Sequence, residues 1–253
     1  MGHRVLEQWP AKKSDPDSSM IKAIIFDFDQ TLVDSADGFR SAEKQAQKKV
    51  FQDLAVTAWD DFLAAYRRLR KQFHEASNLS RKALWEEVYW HYCRHCDLSV
   101  LEKWENDYWQ TVKSRTTLFP ETPSVLQSLA GRYKLAVITN TQAQASSQKH
   151  RLLEIPSLTD FFETVLIAGE EGSAPKPDTG VFLACLEDLG VDCAEAVYVG
   201  DDWRTDICGA SDAGLQPIWI KHHLLSRSWP DVETSVPVIT GLESLLDVES
   251  IMP

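Results

Sequence analysis

No apolar run in this 253-residue chain approaches the ~18 residues of a membrane-spanning helix, so a helical membrane protein is not expected. Basic residues are scarce: 26 Lys and Arg stand against 38 Asp and Glu, a formal net charge of -12. A polyanion is held by clustered cations, so broad contact with nucleic acid or an anionic membrane is not expected either. A small anion held by a metal and a few local cations is compatible with the same balance. Cysteine is sparse, five in all, and no charged leader with a short apolar core is present, which argues against a disulfide framework and for reduced thiols in the cytoplasm. There is no internal repeat. Residues 1–19 are polar and aperiodic, with Pro and Ser, and read as a flexible extension before a fold that starts near Met20.

Apolar content is ordinary at 43%, and the length suits one large domain or two modest ones. Five short, almost uninterrupted apolar runs stand out: "IKAIIF" (21–26), "YKLAVIT" (133–139), "TVLIAG" (164–169), "AVYVG" (196–200) and "PIWI" (217–220). Helical patterns separate them, which predicts an α/β fold with a Rossmann-like parallel sheet covered on both faces. "VPVIT" (236–240) would add an edge strand and "LESLLDV" a closing helix.

The first crossover is far longer than the dozen or so residues a parallel connection needs. Within it Phe62, Tyr66, Leu69 and Phe73, then Leu101, Trp104, Tyr108 and Val112, recur at helical spacing, and 36–52 and 81–96 also look helical. Ser99 or a neighbour would cap the last helix. The expectation is a core of 20–34 and 117–253 with an inserted helical bundle, 35–116, joined through "VDSAD" and the Pro-broken "SRTTLFPETP".

Ligands of an open parallel sheet bind beyond the carboxyl ends of the strands. There the chain places Asp27, Asp29 and Thr31 after the first run, Thr139 and Asn140 after the second, and Asp201, Asp202 and Asp206 after the fourth. So many carboxylates in one place repel each other unless protonated or bound to a hard cation, and an all-oxygen donor set suits Mg²⁺. Lys176, between two prolines in the loop after the third run, could neutralise a phosphate or a nucleophilic carboxylate. Carboxylate, metal, cation and hydroxyl donors together suit phosphoryl transfer.

"DFDQT", "VITNT", "KPDTGVF" and "VGDDWRTDICGA", in that order, resemble the four motifs of the haloacid dehalogenase-like superfamily of phosphohydrolases, and the insert resembles that family's helical type 1 cap. The resemblance runs from about residue 20 to 225. It implies strand order 5-4-1-2-3 and an aspartyl-phosphate mechanism in which Asp27 attacks phosphorus. Asp29 would protonate the leaving oxygen and then deprotonate water. Thr139, Asn140 and Lys176 would hold the phosphoryl group, and Asp27, Asp29, Asp201 and Asp206 the Mg²⁺. The implied activity is hydrolysis of a small phosphorylated metabolite. A phosphomutase resembling β-phosphoglucomutase and a non-catalytic binding protein on the same fold are the alternatives. A dehalogenase has no need of Asp29 or the metal motif, and a phosphonatase needs a cap lysine that does not stand out.

Gln30 stands where many members carry Gly or Asn, and Asp202 reads as an exposed turn residue. Trp203 either walls the pocket or packs. The "HYCRHC" cluster (91–96) has spacings that could suit zinc but lies in a helical, aromatic-rich segment and reads as structural. Arg67, Arg68, Arg70 and Lys71 are expected to fan across a solvated helix face rather than grip a substrate.

Overall fold

The computed structural model describes residues 20–76, 78–141, 150–169, 172–226 and 228–252. The expected extension at 1–19 lies outside them. Among the described residues, no helix is long and apolar enough to cross a membrane.

Strand β1 (Ala23–Phe26) is buried along its whole length because parallel neighbours flank it and layers cover both faces. The chain then makes a short antiparallel ribbon, β2 (Val33–Asp34) with β3 (Thr117–Leu118), on either side of four helices: α1 (Ala36–Leu54), α2 (Trp59–Glu75), α3 (Arg81–His91) and α4 (Leu98–Ser114). Next come α5 (Thr122–Ala130), β4 (Lys134–Asn140), α6 (Pro156–Thr159), β5 (Thr164–Ala168), α7 (Thr179–Leu189), β6 (Ala196–Gly200), α8 (Gly209–Asp212), β7 (Gln216–Ile220), β8 (Val238–Ile239) and α9 (Val248–Ile251). The main sheet has the order β5-β4-β1-β6-β7-β8, all neighbours parallel. Taking the five expected strands in chain order, that is 5-4-1-2-3 read from the opposite edge, with β8 added outside as a two-residue strand.

Alternation splits the sheet's side chains between two cores. Ile24, Phe26, Val137 and Val199 pack with α5 and the C-terminal turns; Ala23, Ile25, Ile138 and Tyr198 pack with α7 and α8. The inserted helices have a third core of their own, built on Phe62, Tyr66, Trp85 and Tyr108. Helices α1 and α4 are tightly joined there: a Cβ at Gly38 would come within 2.8 Å of the Val112 carbonyl oxygen, so only glycine lets the backbones approach.

Three local expectations are adjusted. The helix expected over 81–96 ends at His91: Cys93 is left-handed (φ 53°), and the Arg94 N–H turns back to the Tyr89 carbonyl at 2.9 Å. For α4 the cap is Asp97, whose carboxylate accepts from the Ser99 N–H at 2.8 Å; Ser99 is already inside the helix. "LESLLDV" forms a 3₁₀ turn (Leu242–Asp247) before α9 rather than one helix.

Candidate active site at the carboxyl edge of the sheet

Asp27 directly follows β1, the central strand, and its N–H pairs with the Val199 carbonyl at 2.9 Å. The turn beyond it closes tightly, with Leu32 N–H on the Phe28 carbonyl at 3.0 Å and Gln30 in the left-handed region at φ 61°. That conformation disfavours a side chain by about 1 kcal/mol or more. Gln30 offsets part of this cost by donating from Nε2 to Ser35 Oγ at 2.8 Å. It thus adopts the conformation that Gly or Asn, common at this position in the family, takes readily.

Lys176 is buried, and its ammonium donates to Asp27 Oδ1 and Asp206 Oδ1 at 2.7 Å each, Tyr198 Oη at 2.8 Å and the Ile138 carbonyl at 3.0 Å. Its backbone is anchored by Asn140, whose side chain accepts from the Lys176 N–H at 2.8 Å and donates to its carbonyl at 3.1 Å. Asn140 therefore acts on the third motif through its side chain. Burial lowers the Lys176 pKa, but Asp206, Asp27 and Tyr198 together hold it well above the usual lysine value.

Asp201 follows β6, and its carbonyl accepts from the Trp219 indole at 2.9 Å. Trp203 packs on the Trp219 ring, centroids 4.8 Å apart. Asp206 sits in a widened turn, Trp203–Cys208, in which the Ile207 N–H reaches back five residues to the Asp202 carbonyl. Its Oδ2 accepts from the Asp202 N–H at 3.0 Å, and it lies so close to Gly200 that a Cβ there would stand 2.4 Å from its own Cβ. Asp202 caps the turn, accepting from the N–H groups of Arg204 and Thr205.

Carboxylate oxygens of Asp27, Asp201 and Asp206 lie within 4.8 Å of one another, all three side chains buried. Asp27 is pushed up to about 7, first by burial, with Asp206 and Asp29 adding to the rise and Lys176 opposing it. Three carboxylates against one ammonium leave, when ionised, an excess of two negative charges (3 - 1 = 2) in a buried place. A divalent cation with oxygen preference fits that donor set. Among the described residues no other such group converges, and the 91–96 cluster does not.

Asp29 stands apart. Its Oδ1 accepts from Ser35 Oγ at 2.6 Å and its Oδ2 pairs with Arg151, which is itself buried. The Arg151 guanidinium lies 5.1–5.8 Å from the ring centroids of Phe28, Phe39 and Trp109, so core and inserted helices grip it together. Beside it, buried His150 is held down to about 4 by burial and by Arg151, against the opposing pull of Asp29. Its Nδ1 accepts from the Leu152 N–H, which requires the neutral ring. Since an unfolded His titrates near 6.5, acid favours the unfolded chain from there down to the folded value. This one group should cost about 2 kcal/mol of stability between pH 8 and pH 5. Denaturant midpoints at the two pH values should therefore converge for His150→Gln relative to the native chain.

The site opens into a cleft of about 550 Å³. Asp27, Thr139, Asn140 and Lys176 line it on the core side, and Arg70, Lys71, His74 and Arg81 on the side of α2 and α3. Arg70 and Lys71 border the cleft while 39% and 77% of their side chains stay exposed, in keeping with the solvated face expected for that run; Arg67 and Arg68 are exposed and outside the lining. Arg151, Ser35, Tyr198 and Trp219 belong to the site although nothing in the motifs marked them. Tyr198 carried a signal, a polar hydroxyl in an otherwise apolar strand; Arg151 carried none.

A family model described as haloacid dehalogenase-like hydrolase matches residues 24–220. The chain is 32% identical to a glyceraldehyde 3-phosphate phosphatase of Pyrococcus abyssi over 80% of its own length and 82% of the relative's. It is 28% identical to the N-acylneuraminate-9-phosphatase of Rattus norvegicus over 80% and 83%. The crystal structure of a 2-haloacid dehalogenase from Pseudomonas syringae superposes with a TM-score of 0.62 at 27% identity, covering 91% of this chain and 99% of that one.

Proposed function

The chain belongs to the haloacid dehalogenase-like hydrolase family and is a phosphoric monoester hydrolase within it, and from that premise we propose that it hydrolyses a small phosphorylated metabolite with Mg²⁺ through a phosphorylated Asp27. The observation that carries this reading is the buried convergence of Asp27, Asp201 and Asp206, two of which, Asp27 and Asp206, also hold the ammonium of Lys176. A haloacid dehalogenase has no use for such a divalent-cation cluster.

In the first half-reaction a carboxylate oxygen of Asp27 forms a bond to phosphorus while the bond from phosphorus to the substrate oxygen breaks, and Asp29 gives that oxygen its proton. In the second, a water oxygen bonds to phosphorus, the bond to Asp27 breaks, and the water proton goes to Asp29. Both oxygens of Asp29 are engaged, by Ser35 and Arg151, so it must exchange one partner for the leaving oxygen. Asp29 is accordingly read as the proton carrier rather than a side-chain metal ligand. Lys176 offsets the charge that gathers on Asp27 and the phosphoryl oxygens, while Thr139 and the backbone at Asn140 orient them. Mg²⁺, held by Asp27, Asp201 and Asp206, would neutralise the phosphoryl group so that one anion can approach another. Residues 35–116 act as a cap that closes the cleft against water.

The test is phosphate release from an aryl phosphate and from a panel of sugar and short-acid phosphates, with Mg²⁺ or with EDTA. Release should fall at least about 100-fold in EDTA, the scale of losing one strong electrostatic stabiliser. Equal rates in both conditions would sink the metal-dependent reading.

A further inference from the structure

We propose that the cap side of the cleft is a second anion subsite, built on Arg70, Lys71 and Arg81 with Arg204 facing them from the core loop, and that the natural substrate carries a second negatively charged group besides its phosphoryl group. This rests on the phosphatase reading and specifies its substrate class. In a chain with net charge -12, Arg70, Lys71 and Arg81 line the cap side of the cleft against one acid there, Glu75, and Arg204 lines it from the core loop. Arg81 is the strongest sign. It is 5% exposed, its Nη1 donates to the Leu79 carbonyl at 2.6 Å, and its buried Nε has no partner among the described residues. The guanidinium also lies 5.2 Å from the Tyr108 ring centroid and feels Glu43, yet one buried donor stays unpaired, which is costly, in a residue that lines the cleft an anion would enter.

The acids nearby offset part of this field: buried Glu43 stands 3.8 Å from Arg70 and also acts on Arg81, and exposed Glu75 stands 3.8 Å from Lys71, so three cap-side cations face two acids. Asp202 is engaged in capping its own turn. Arg204 reaches from the core loop to the His74 carbonyl at 3.4 Å, tying the basic wall to the metal-side loop. The His74 imidazole registers the result, held below its usual value by burial and then by Arg70 and Arg81. Arg70, Lys71 and His74 fall at helical spacing on one flank of α2, beside the apolar stripe of Phe62, Tyr66 and Leu69 that fixes the helix in the cap. The face is therefore presented to the cleft by the packing of the cap itself.

Calorimetric binding to Asp27→Asn in Mg²⁺, which binds without turnover, tests this with two matched pairs: 3-phosphoglycerate against glycerol 3-phosphate, and fructose 1,6-bisphosphate against fructose 6-phosphate. The first pair reads a carboxylate, the second a phosphate. At least one doubly anionic member should bind about tenfold tighter or more, the scale of one charge-assisted hydrogen bond. The double variant Arg70→Gln/Lys71→Gln, whose side chains are not buried, should bring that ratio to within about twofold even if Arg81→Gln fails to fold. Ratios near one in both pairs, or no binding of any of the four, would overturn the proposal. The phosphatase reading is judged separately, by aryl phosphate release from the native chain.

Discussion

Asp27→Asn should lower Mg²⁺-dependent phosphate release by at least about 10⁴-fold, the scale of removing a covalent nucleophile. An amide of the same shape cannot carry the phosphoryl group at a useful rate, and neither Asp206 nor Asp29 is free to replace it: Asp206 is tied to Lys176, Tyr198 and the Asp202 N–H, and Asp29 to Ser35 and Arg151. The fold should tolerate the change. Burial already pushes Asp27 up to about 7, so a neutral side chain removes a desolvation cost while Asp206 still holds the Lys176 ammonium at 2.7 Å. A melting temperature near that of the native chain, together with the lost turnover, is the expected pair of results. Retained turnover would rule out Asp27 as nucleophile.

Lys176→Met should have the opposite balance, with stability hit hard. The ammonium satisfies two buried carboxylates, the Tyr198 hydroxyl and the Ile138 carbonyl. Without it, carboxylates remain buried with no cation, which typically costs about 3–5 kcal/mol. Denaturant unfolding in EDTA should show that loss. Because a divalent ion supplies the missing positive charge, adding Mg²⁺ should raise the melting temperature of the variant more than that of the native chain. Turnover should fall about 10³-fold even at saturating Mg²⁺, since the metal cannot also donate hydrogen bonds to the phosphoryl oxygens. A variant as stable as the native chain in EDTA would contradict the central place given to this lysine.

Elements whose burial is complete were legible in the sequence. The β1, β4, β6 and β7 runs are apolar on both faces because layers cover both faces, and their carboxyl ends predicted where Asp27, Asn140 and Asp201 emerge. The helical insert was legible for the same reason, through the Phe62 to Leu69 and Leu101 to Val112 stripes. What escaped depends on contacts distant in the chain. Arg151 meets Asp29 across 122 positions, and Lys176 meets Asp27 across 149. The lysine was found because it stands between two prolines in a loop beyond a strand end and its KPD context matches a motif; the arginine had neither. That Arg70 and Lys71 border the cleft was not legible either, because periodicity locates the apolar stripe of a helix but not which of its polar flanks meets a neighbouring module.

The β2 and β3 ribbon carries a consequence for how such a chain can diversify. Val33 pairs with Leu118 and Asp34 with Thr117, so the two ends of the insert stand a single strand spacing apart. Topologically the four helices are the tip of a hairpin, and the entropy of closing that long loop is met by two residue pairs rather than by the strands bearing the reacting groups. Residues 35–116 can thus lengthen, shorten or change their lining without moving Asp27 relative to Asp201. The face that chooses the substrate and the face that performs the chemistry are free to drift at different rates.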